Sequence, residues 1–365
     1  MYIPIRPTPP PLTTDLWIGH GLLHTEILST VVKKWGHRRI LIANRAVATL
    51  YGEWLAVKCQ AELLCVSSCH LTKSRETKEW LENALLTRKC GRDTVIIALG
   101  GGEIIDVVGF LASTYLRGVP LVLVPTTLLA IVDASIGGKT AIDTPQGKNL
   151  IGSYYPAKAI ISDLDTLTSL PEAEWQNGLA EILKAALIAD QSLWSMCDDR
   201  WRAHLIEIAG RAARVKVSTI EADPLEKGLR RILNFGHTVA HALEAIAEYQ
   251  VAHGEMVAIG LLAESYLSMR IGLLPLAKFE EIDAKISQAG FQLRLPTNYD
   301  TSKFLEAMRF DKKASQGSVR FTLLEEIGRA ASFGGEYCQF VPEEIVLAMA
   351  EWMESRMVYP ALYRS

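Results

Sequence analysis

Several things this sequence lacks narrow its place and partners. Only 6 of its 365 residues are cysteine, at positions 59, 65, 69, 90, 197 and 338, and they show neither the density of a disulfide framework nor a repeated CxxC pair. A reducing compartment suits such thiols, and a cytoplasmic location is expected. The opening residues, MYIPIRPTPPP, offer no basic stretch followed by an unbroken apolar core, so no export signal is expected. The most apolar run, GVPLVLVPTTLLAIV at 118–132, is shorter than the roughly 20 residues of a spanning helix and is interrupted by Pro120 and Pro125. No membrane partner is expected. Charge of one sign is also missing: 38 basic against 41 acidic residues leave a formal net charge of −3. That balance exerts no general pull on nucleic acid, so any anionic ligand must be held by local basic residues. With 49% hydrophobic residues the chain is not globally disordered, and its length accommodates about two domains.

What is present changes character partway along. Up to about residue 165, short β-branched runs alternate with helix-like stretches: RRILIAN at 38–44, TVIIALGG at 94–101, PLVLVPTT at 120–127 and KAIISD at 158–163. Strands apolar along their whole length suit a parallel sheet covered by helices on both faces. The helical spacing at 76–89 would let Trp80, Leu81, Leu85 and Leu86 share one face. Further on, Ser169 offers an N-cap with Glu172 as capping-box partner, so a helix should begin near Pro171. Helical patterning follows at 171–189, 191–220, 236–248, 254–270, 276–289, 300–309 and 342–357, with 318–328 as a hairpin or ordered loop. Periodicity alone reads the second half as all helix. The expectation is an α/β nucleotide-binding domain over 1–168, followed by a mostly α-helical domain over 169–365.

The 94–99 strand runs into Gly100-Gly101-Gly102-Glu103 and then a helical stretch containing Asp106. Glycines let backbone approach a bulky anion, and N–H groups at a helix start can meet phosphate oxygens. The next strand ends in Pro125-Thr126-Thr127, whose hydroxyls could reach the same crevice. Downstream, VDASIGGKTAIDTPQGKNLIGSYY at 132–155 is too polar and glycine-rich for a crossover helix, and it carries Asp133, Lys139, Asp143, Lys148 and Asn149. Its lysines, with Arg117, could neutralise phosphate or carboxylate; a solvated basic loop is the plainer alternative.

Three of the eight histidines fall within 237–253. His237 and His241 are four apart, on one helical face with Glu244, while His253 opens the segment HGE. Two imidazoles and a carboxylate match a catalytic zinc with one open position. The HExxH pattern of metalloproteases is absent. A further carboxylate, Glu181, lies with Lys184 on an otherwise apolar helix, where a buried charge calls for a metal or a polar ligand. Spacing leaves open which three of Glu181, His237, His241, Glu244, His253 and Glu255 would bind. The stretch 211–237 adds Lys216, Glu226, Arg230 and Asn234, and the segment 309–321 adds Lys312 and Lys313.

As a set these motifs are familiar. LGGGEIID, TYLRGVPLVLVPTTLLAIVDASIGGKTAID, GKNLIG, NGLAEILK, EKGLRRILNFGHTVAHALE, HGEMVAIG and FDKK occur in the order of the 3-dehydroquinate synthase family, which the chain resembles from about Leu16 to Gly328. The resemblance implies Glu181, His237 and His253 as zinc ligands, with cobalt as a substitute, and His241 as a substrate-side acid, base or hydrogen-bonding residue. It implies Asn44, Lys73, Gly101, Gly102, Asp106, Thr126, Thr127, Asp133, Lys139 and Lys148 for an NAD site. Around the substrate it implies Arg117, Asp133, Lys139, Asn149, Lys184, Lys216, Glu226, Arg230, Asn234, His241 and Lys312 or Lys313. The implied reaction converts 3-deoxy-D-arabino-heptulosonate 7-phosphate to 3-dehydroquinate and phosphate in the shikimate pathway, with NAD recycled and no net redox change. Homodimers are common in that family. Another sugar-phosphate cyclase, a net polyol dehydrogenase and a noncatalytic binding protein are the alternatives.

The sequence departs from the family pattern at four places. Asn44 stands where members commonly carry an aspartate near the adenosine ribose, and Cys69-His70 replaces a Gly-Glu pair ahead of Lys73. Asp143 replaces a frequent asparagine, and Pro224 replaces a glutamate beside Asp223.

Overall fold

The computed structural model describes residues 13–66, 72–309 and 319–357. Cys69-His70 and the two candidate lysines, Lys312 and Lys313, lie outside the described residues. The chain forms two units. One runs to Pro125 and resumes over Gly138–Asp163; the other comprises Thr126–Gly137 and continues from Leu164. Thr126–Gly137, counted with the N-terminal domain by sequence order, thus groups with the helices, because its π-helical turn Ala130–Ala134 packs on two of them.

The first unit is built on a six-stranded parallel sheet. In chain order its strands are β1 (Asp15–Gly19), β2 (Arg38–Asn44), β3 (Glu62–Val66), β4 (Thr94–Gly100), β5 (Leu121–Pro125) and β8 (Ala159–Asp163), arranged β1-β8-β5-β4-β2-β3. Every residue of β4, β5 and β8 is buried, as strands covered on both faces should be. The helices joining the strands are α1 (Ile27–Trp35), the short α2 (Arg45–Val47), α3 (Glu53–Cys59), α4 (Arg75–Thr87) and α5 (Gly102–Thr114). Leu41, Ile97, Val122 and Ile161 meet in the core at 0% exposure, each contributing roughly 1.5–3 kcal/mol by burial. On α4 the buried face is Thr77, Leu81 and Leu85, whereas Trp80 and Leu86 are exposed. Spacings of four keep those three in line, and the two outer positions of the expected face turn to solvent. The glycine-rich segment after β5 contains a hairpin, β6 (Lys139–Thr144) with β7 (Gly147–Tyr154), rather than a helix.

The second unit contains α6 (Glu172–Ala189), α7 (Gln191–Met196), α8 (Leu205–Ala222), α9 (His237–Ile246), α10 (His253–Arg270), α11 (Leu276–Gln288), α12 (Thr301–Arg309) and α13 (Glu343–Met357). Helix α10 is buried on all sides and packs against α6, α9, α11 and α13. The expected single helix over 191–220 is broken. Asp198 accepts the Arg200 N–H at 2.8 Å, and a 3-10 turn at Trp201–His204 precedes α8. The expected capping box at Ser169 is also absent: Pro171 is the N-cap of α6, and the Ser169 hydroxyl donates to the Thr166 carbonyl at 3.1 Å. Nor is this half all helix. Short antiparallel pairs join β10 (Leu324–Glu326) to β11 (Arg329–Ala330), and β9 (Arg320–Phe321) to β12 (Gln339–Phe340). These strands are two or three residues long, too short for a periodicity to declare them. Among the described residues no helix is long and apolar enough to cross a membrane.

Candidate active site

In the helical unit, three helices place three electron-rich atoms around one point. Glu181 stands on α6, His237 is the first residue of α9, and His253 is the first residue of α10. Nε2 of His237 and Nε2 of His253 each lie 3.3 Å from Glu181 Oε1. One donor atom from each of the three lies within 4.8 Å of the others. The opposite ring nitrogens are engaged: His237 Nδ1 with the Phe235 carbonyl at 3.1 Å, and His253 Nδ1 with Glu244 Oε1 at 2.9 Å. A carbonyl only accepts, so His237 carries its proton on Nδ1 and turns the Nε2 lone pair toward the carboxylate. Such a convergence demands a positive charge at its centre. The spacing of the α9 residues left His241 and Glu244 as alternative ligands; the structure puts Glu244 behind His253 and leaves His241 exposed, its ring 5.4 Å from that of His237.

The electrostatics express the same demand. Burial lowers the pKa of His237 and the nearby Lys184 lowers it further, to about 4. Burial also acts against a proton on His253, but its hydrogen bonds to Glu181 and Glu244 outweigh this and raise it to about 9. Burial would raise Glu181, yet Lys184 and then His237 hold it well below the ordinary carboxylate value. Two carboxylates that draw a proton onto His253 would equally draw a divalent cation into its place. A Glu/His/His set with both rings anchored through their second nitrogens fits zinc with an open position.

Beside this set runs a buried chain of charges. Lys184, one turn along α6, pairs with Glu181 and lies 3.7 Å from Asp133 Oδ1. Lys216, on α8, approaches the same Asp133 oxygen at 2.9 Å and donates to the Asp133 carbonyl at 2.6 Å. Burial would raise Asp133, but Lys216 and Lys184 hold it low; burial lowers Lys216, with Asp133 opposing. Arg230 is 1% exposed and donates through Nη1 to the Pro224 carbonyl at 2.7 Å. Asn234 donates to Glu226 Oε1 at 2.7 Å. Asp223 accepts backbone N–H groups of Lys227, Gly228 and Arg230, tying this loop together.

A second cluster lies in the α/β unit. Gly101 is the N-cap of α5 and provides no side-chain cap, and Gly102 begins the helix, so the first-turn N–H groups present an anion-ready end. Lys73 reaches Asp106 Oδ2 at 2.5 Å, hydrogen-bonds Asn149, and lies 3.9 Å from Asp143 Oδ1. Asp143 in turn accepts the Asn149 N–H at 3.0 Å, holding a residue whose φ is 58°. Asn44 accepts the Val47 N–H at 2.9 Å, capping α2. Arg117 is the exposed last residue of the turn Tyr115–Arg117, whose Tyr115 is buried, and has φ 65°. Lys139 begins β6, Lys148 lies on β7, and Thr126 and Thr127 directly follow β5, where Thr127 Oγ1 accepts the Ala130 N–H at 3.2 Å. Sequence reasoning missed Asn177 and Glu264, which bind the N-termini of α10 and α9; the only signal for Asn177 was its place one turn before Glu181.

Comparisons with known proteins establish the family. The profile described as 3-dehydroquinate synthase N-terminal matches residues 63–177, and that described as 3-dehydroquinate synthase C-terminal matches 178–314. A 3-dehydroquinate synthase of Legionella pneumophila subsp. pneumophila (strain Philadelphia 1) is 38% identical over 320 residues, covering 85% of this chain and 86% of the relative. Among solved structures, ValA (2-epi-5-epi-valiolone synthase) from Streptomyces hygroscopicus subsp. jinggangensis 5008, with NAD+ and Zn2+ bound, superposes with a TM-score of 0.84 at 27% identity, covering 96% of this chain and 99% of that one. A 2-deoxy-scyllo-inosose synthase complexed with carbaglucose-6-phosphate, NAD+ and Co2+ shares the fold, with a TM-score of 0.80 at 22% identity over 92% and 95% of the two chains. With the two family profiles together matching residues 63–314 and a 38% identical relative aligned over 86% of its length, this chain is an enzyme of the 3-dehydroquinate synthase family.

Proposed function

We propose that the chain converts 3-deoxy-D-arabino-heptulosonate 7-phosphate to 3-dehydroquinate and phosphate, using NAD and a divalent metal, zinc foremost. The observation that carries this reading is the convergence of His237 Nε2 and His253 Nε2 on Glu181 Oε1, each at 3.3 Å, with both Nδ1 atoms already engaged. When bound, the dinucleotide would take hydride from the substrate's C5 carbinol and return it after phosphate has left C7, and the metal would polarise the C5 oxygen. The protein's own residues do the rest. Asp133 fixes the ammonium groups of Lys184 and Lys216, so two cations are oriented before an anionic substrate arrives. Arg230, held through the Pro224 carbonyl, supplies a further fork of donors. His241, exposed beside His237, would orient a substrate hydroxyl or move its proton. In the α/β unit, the open N-terminus of α5 at Gly101-Gly102 would receive the pyrophosphate, with Lys73 and Asp106 nearby.

The 38% identical Legionella relative supports the reaction class, and the bound NAD+ and Zn2+ of the 27% identical ValA support the pair of cofactors. The test is to mix protein, substrate, catalytic NAD and zinc. Phosphate and cyclic product should appear in equal amounts with no net NADH. Stoichiometric NADH without phosphate release would instead make the chain a polyol dehydrogenase.

A further inference from the structure

We propose that Asn177 and Glu264 are positioning residues that set the two histidine-bearing helices of the candidate metal site, each capping one of those helices from a neighbouring helix. The inference rests on the reading of Glu181, His237 and His253 as that site.

An α-helix begins with backbone N–H groups that have no partner within the helix, and a polar N-cap side chain ordinarily accepts from the second or third of them. His237 and His253 are each the first residue of a helix, and neither helix carries such a cap. Gly236 precedes α9 and Ala252 precedes α10, and neither makes a side-chain cap hydrogen bond. The second-position N–H is satisfied from elsewhere in both cases. Gly254 donates to Asn177 Oδ1 of α6 at 2.7 Å, and Thr238 donates to Glu264 Oε1 of α10 at 3.2 Å. The caps therefore run in series: α6 holds the start of α10, and α10 holds the start of α9. These are the three helices that carry Glu181, His253 and His237.

A local cap would fix only where a helix begins. A cap supplied by another helix also fixes where it begins relative to that helix, and a metal set needs this, since its donors must be held to within about 0.5 Å. Asn177 is one turn before Glu181 on the same face of α6, so the atom that caps α10 and the carboxylate facing His253 share one short rigid segment. Its amide is oriented by a second bond, from Nδ2 to Glu174 Oε2 at 3.2 Å. Backbone contact leaves no room for alternatives. A Cβ on Gly254 would stand 2.6 Å from Asn177 Cα, and one on Gly260 would stand 1.9 Å from the Gly236 carbonyl oxygen. Glu264 is wholly buried, so its carboxylate is spent on α9 and not on solvent.

The test uses full-length protein stripped of metal: wild type, Asn177→Ala, Asn177→Asp/Glu174→Gln, Glu264→Leu and Glu264→Gln. Zinc affinity is measured by chelator competition, site geometry by the visible spectrum of the cobalt-loaded protein, and the caps by amide hydrogen exchange at Gly254 and Thr238. Asn177→Ala should weaken zinc binding by about 10- to 100-fold, shift the cobalt spectrum and speed exchange at Gly254. The double variant Asn177→Asp/Glu174→Gln, which keeps the acceptor oxygen for Gly254 and gives the new carboxylate an amide donor in place of the Glu174 carboxylate, should restore all three. Glu264→Leu and Glu264→Gln should behave in parallel at Thr238, and if the Leu variant fails to fold, the Asn177 pair still decides. Wild-type zinc affinity and an unchanged cobalt spectrum in Asn177→Ala would overturn the inference. So would an Asn177→Asp/Glu174→Gln variant as weak as Asn177→Ala. A wild-type chain that takes up no zinc would overturn the metal site itself, and Gly254 exchange in the metal-free variants would still show whether the cap exists.

Discussion

Glu181 has two jobs that a pair of substitutions can separate. Its carboxylate faces both histidine Nε2 atoms and also pairs with Lys184, with the two side chains 2% and 4% exposed. Around it, the carboxylates of Glu181 and Asp133 balance the ammonium groups of Lys184 and Lys216. Glu181→Gln keeps the shape but leaves one buried ammonium in excess, and breaking a buried pair in this way costs about 3–5 kcal/mol. Replacing both partners, as in Glu181→Gln/Lys184→Met, returns the cluster to one carboxylate, Asp133, with one ammonium, Lys216, 2.9 Å away. Neutral substitution of a whole buried pair is often close to neutral in stability. The metal-free single variant should therefore lose about 3–5 kcal/mol of unfolding free energy, read as a lower urea midpoint, and the double variant should recover most of that loss. Zinc tells the opposite story, because the ligand is missing from both: purified single and double variants should each lack the metal. Retained zinc in Glu181→Gln would remove Glu181 from the ligand set. A double variant as unstable as the single one would refute the charge balance.

Other consequences follow from individual contacts. His241→Ala should keep its zinc while turnover falls by about 10²–10⁴-fold, because His241 stands beside the metal set without belonging to it; metal loss equal to that of His237→Ala would contradict this. Gly260→Ala, whose Cβ would come 1.9 Å from the Gly236 carbonyl oxygen, should push α9 from α10, lowering the melting temperature and the zinc content together; unchanged zinc would show that the helices can part without cost to the site. The loop holding Arg230 should loosen in acid. Slight burial pushes Asp223 up, but the N–H groups of Lys227, Gly228 and Arg230 outweigh it and depress its pKa below the usual 3.8, so its contribution is present above that value and is lost as pH falls through the folded one. Amide exchange at Lys227 and Gly228, corrected for its intrinsic pH dependence, should accelerate at that point in the wild type and already be fast in Asp223→Asn at neutral pH.

Much of the α/β unit was legible because its central strands carry unbroken apolar runs. RRILIAN and TVIIALG became β2 and β4 almost to the residue. The edge strands β1 and β3, with mixed burial, carried no such mark and were missed. In the helical unit the long helices α6, α9, α10 and α11 lay where their patterns put them, and the break between α7 and α8 did not, since a turn made by Asp198 leaves no trace in apolar spacing. The resemblance supplied Glu181, His237 and His253 as one set; spacing offered Glu244 on equal terms.

The sequence alone determined which segments are fully apolar, which helices bury a charge, and which motifs stand in the order of a known family. These are properties of neighbours along the chain. Tertiary structure alone decided that Glu244 orients His253 while Glu181 faces it, that Asp133 holds two lysines, and that Asn177 and Glu264 close the helix starts beneath the histidines. Glu244 and His253 are nine positions apart and the other pairs tens of positions apart, all on different elements, and the direction of a lone pair or an N–H at such a junction is set by how the elements pack, which spacing along one segment does not encode.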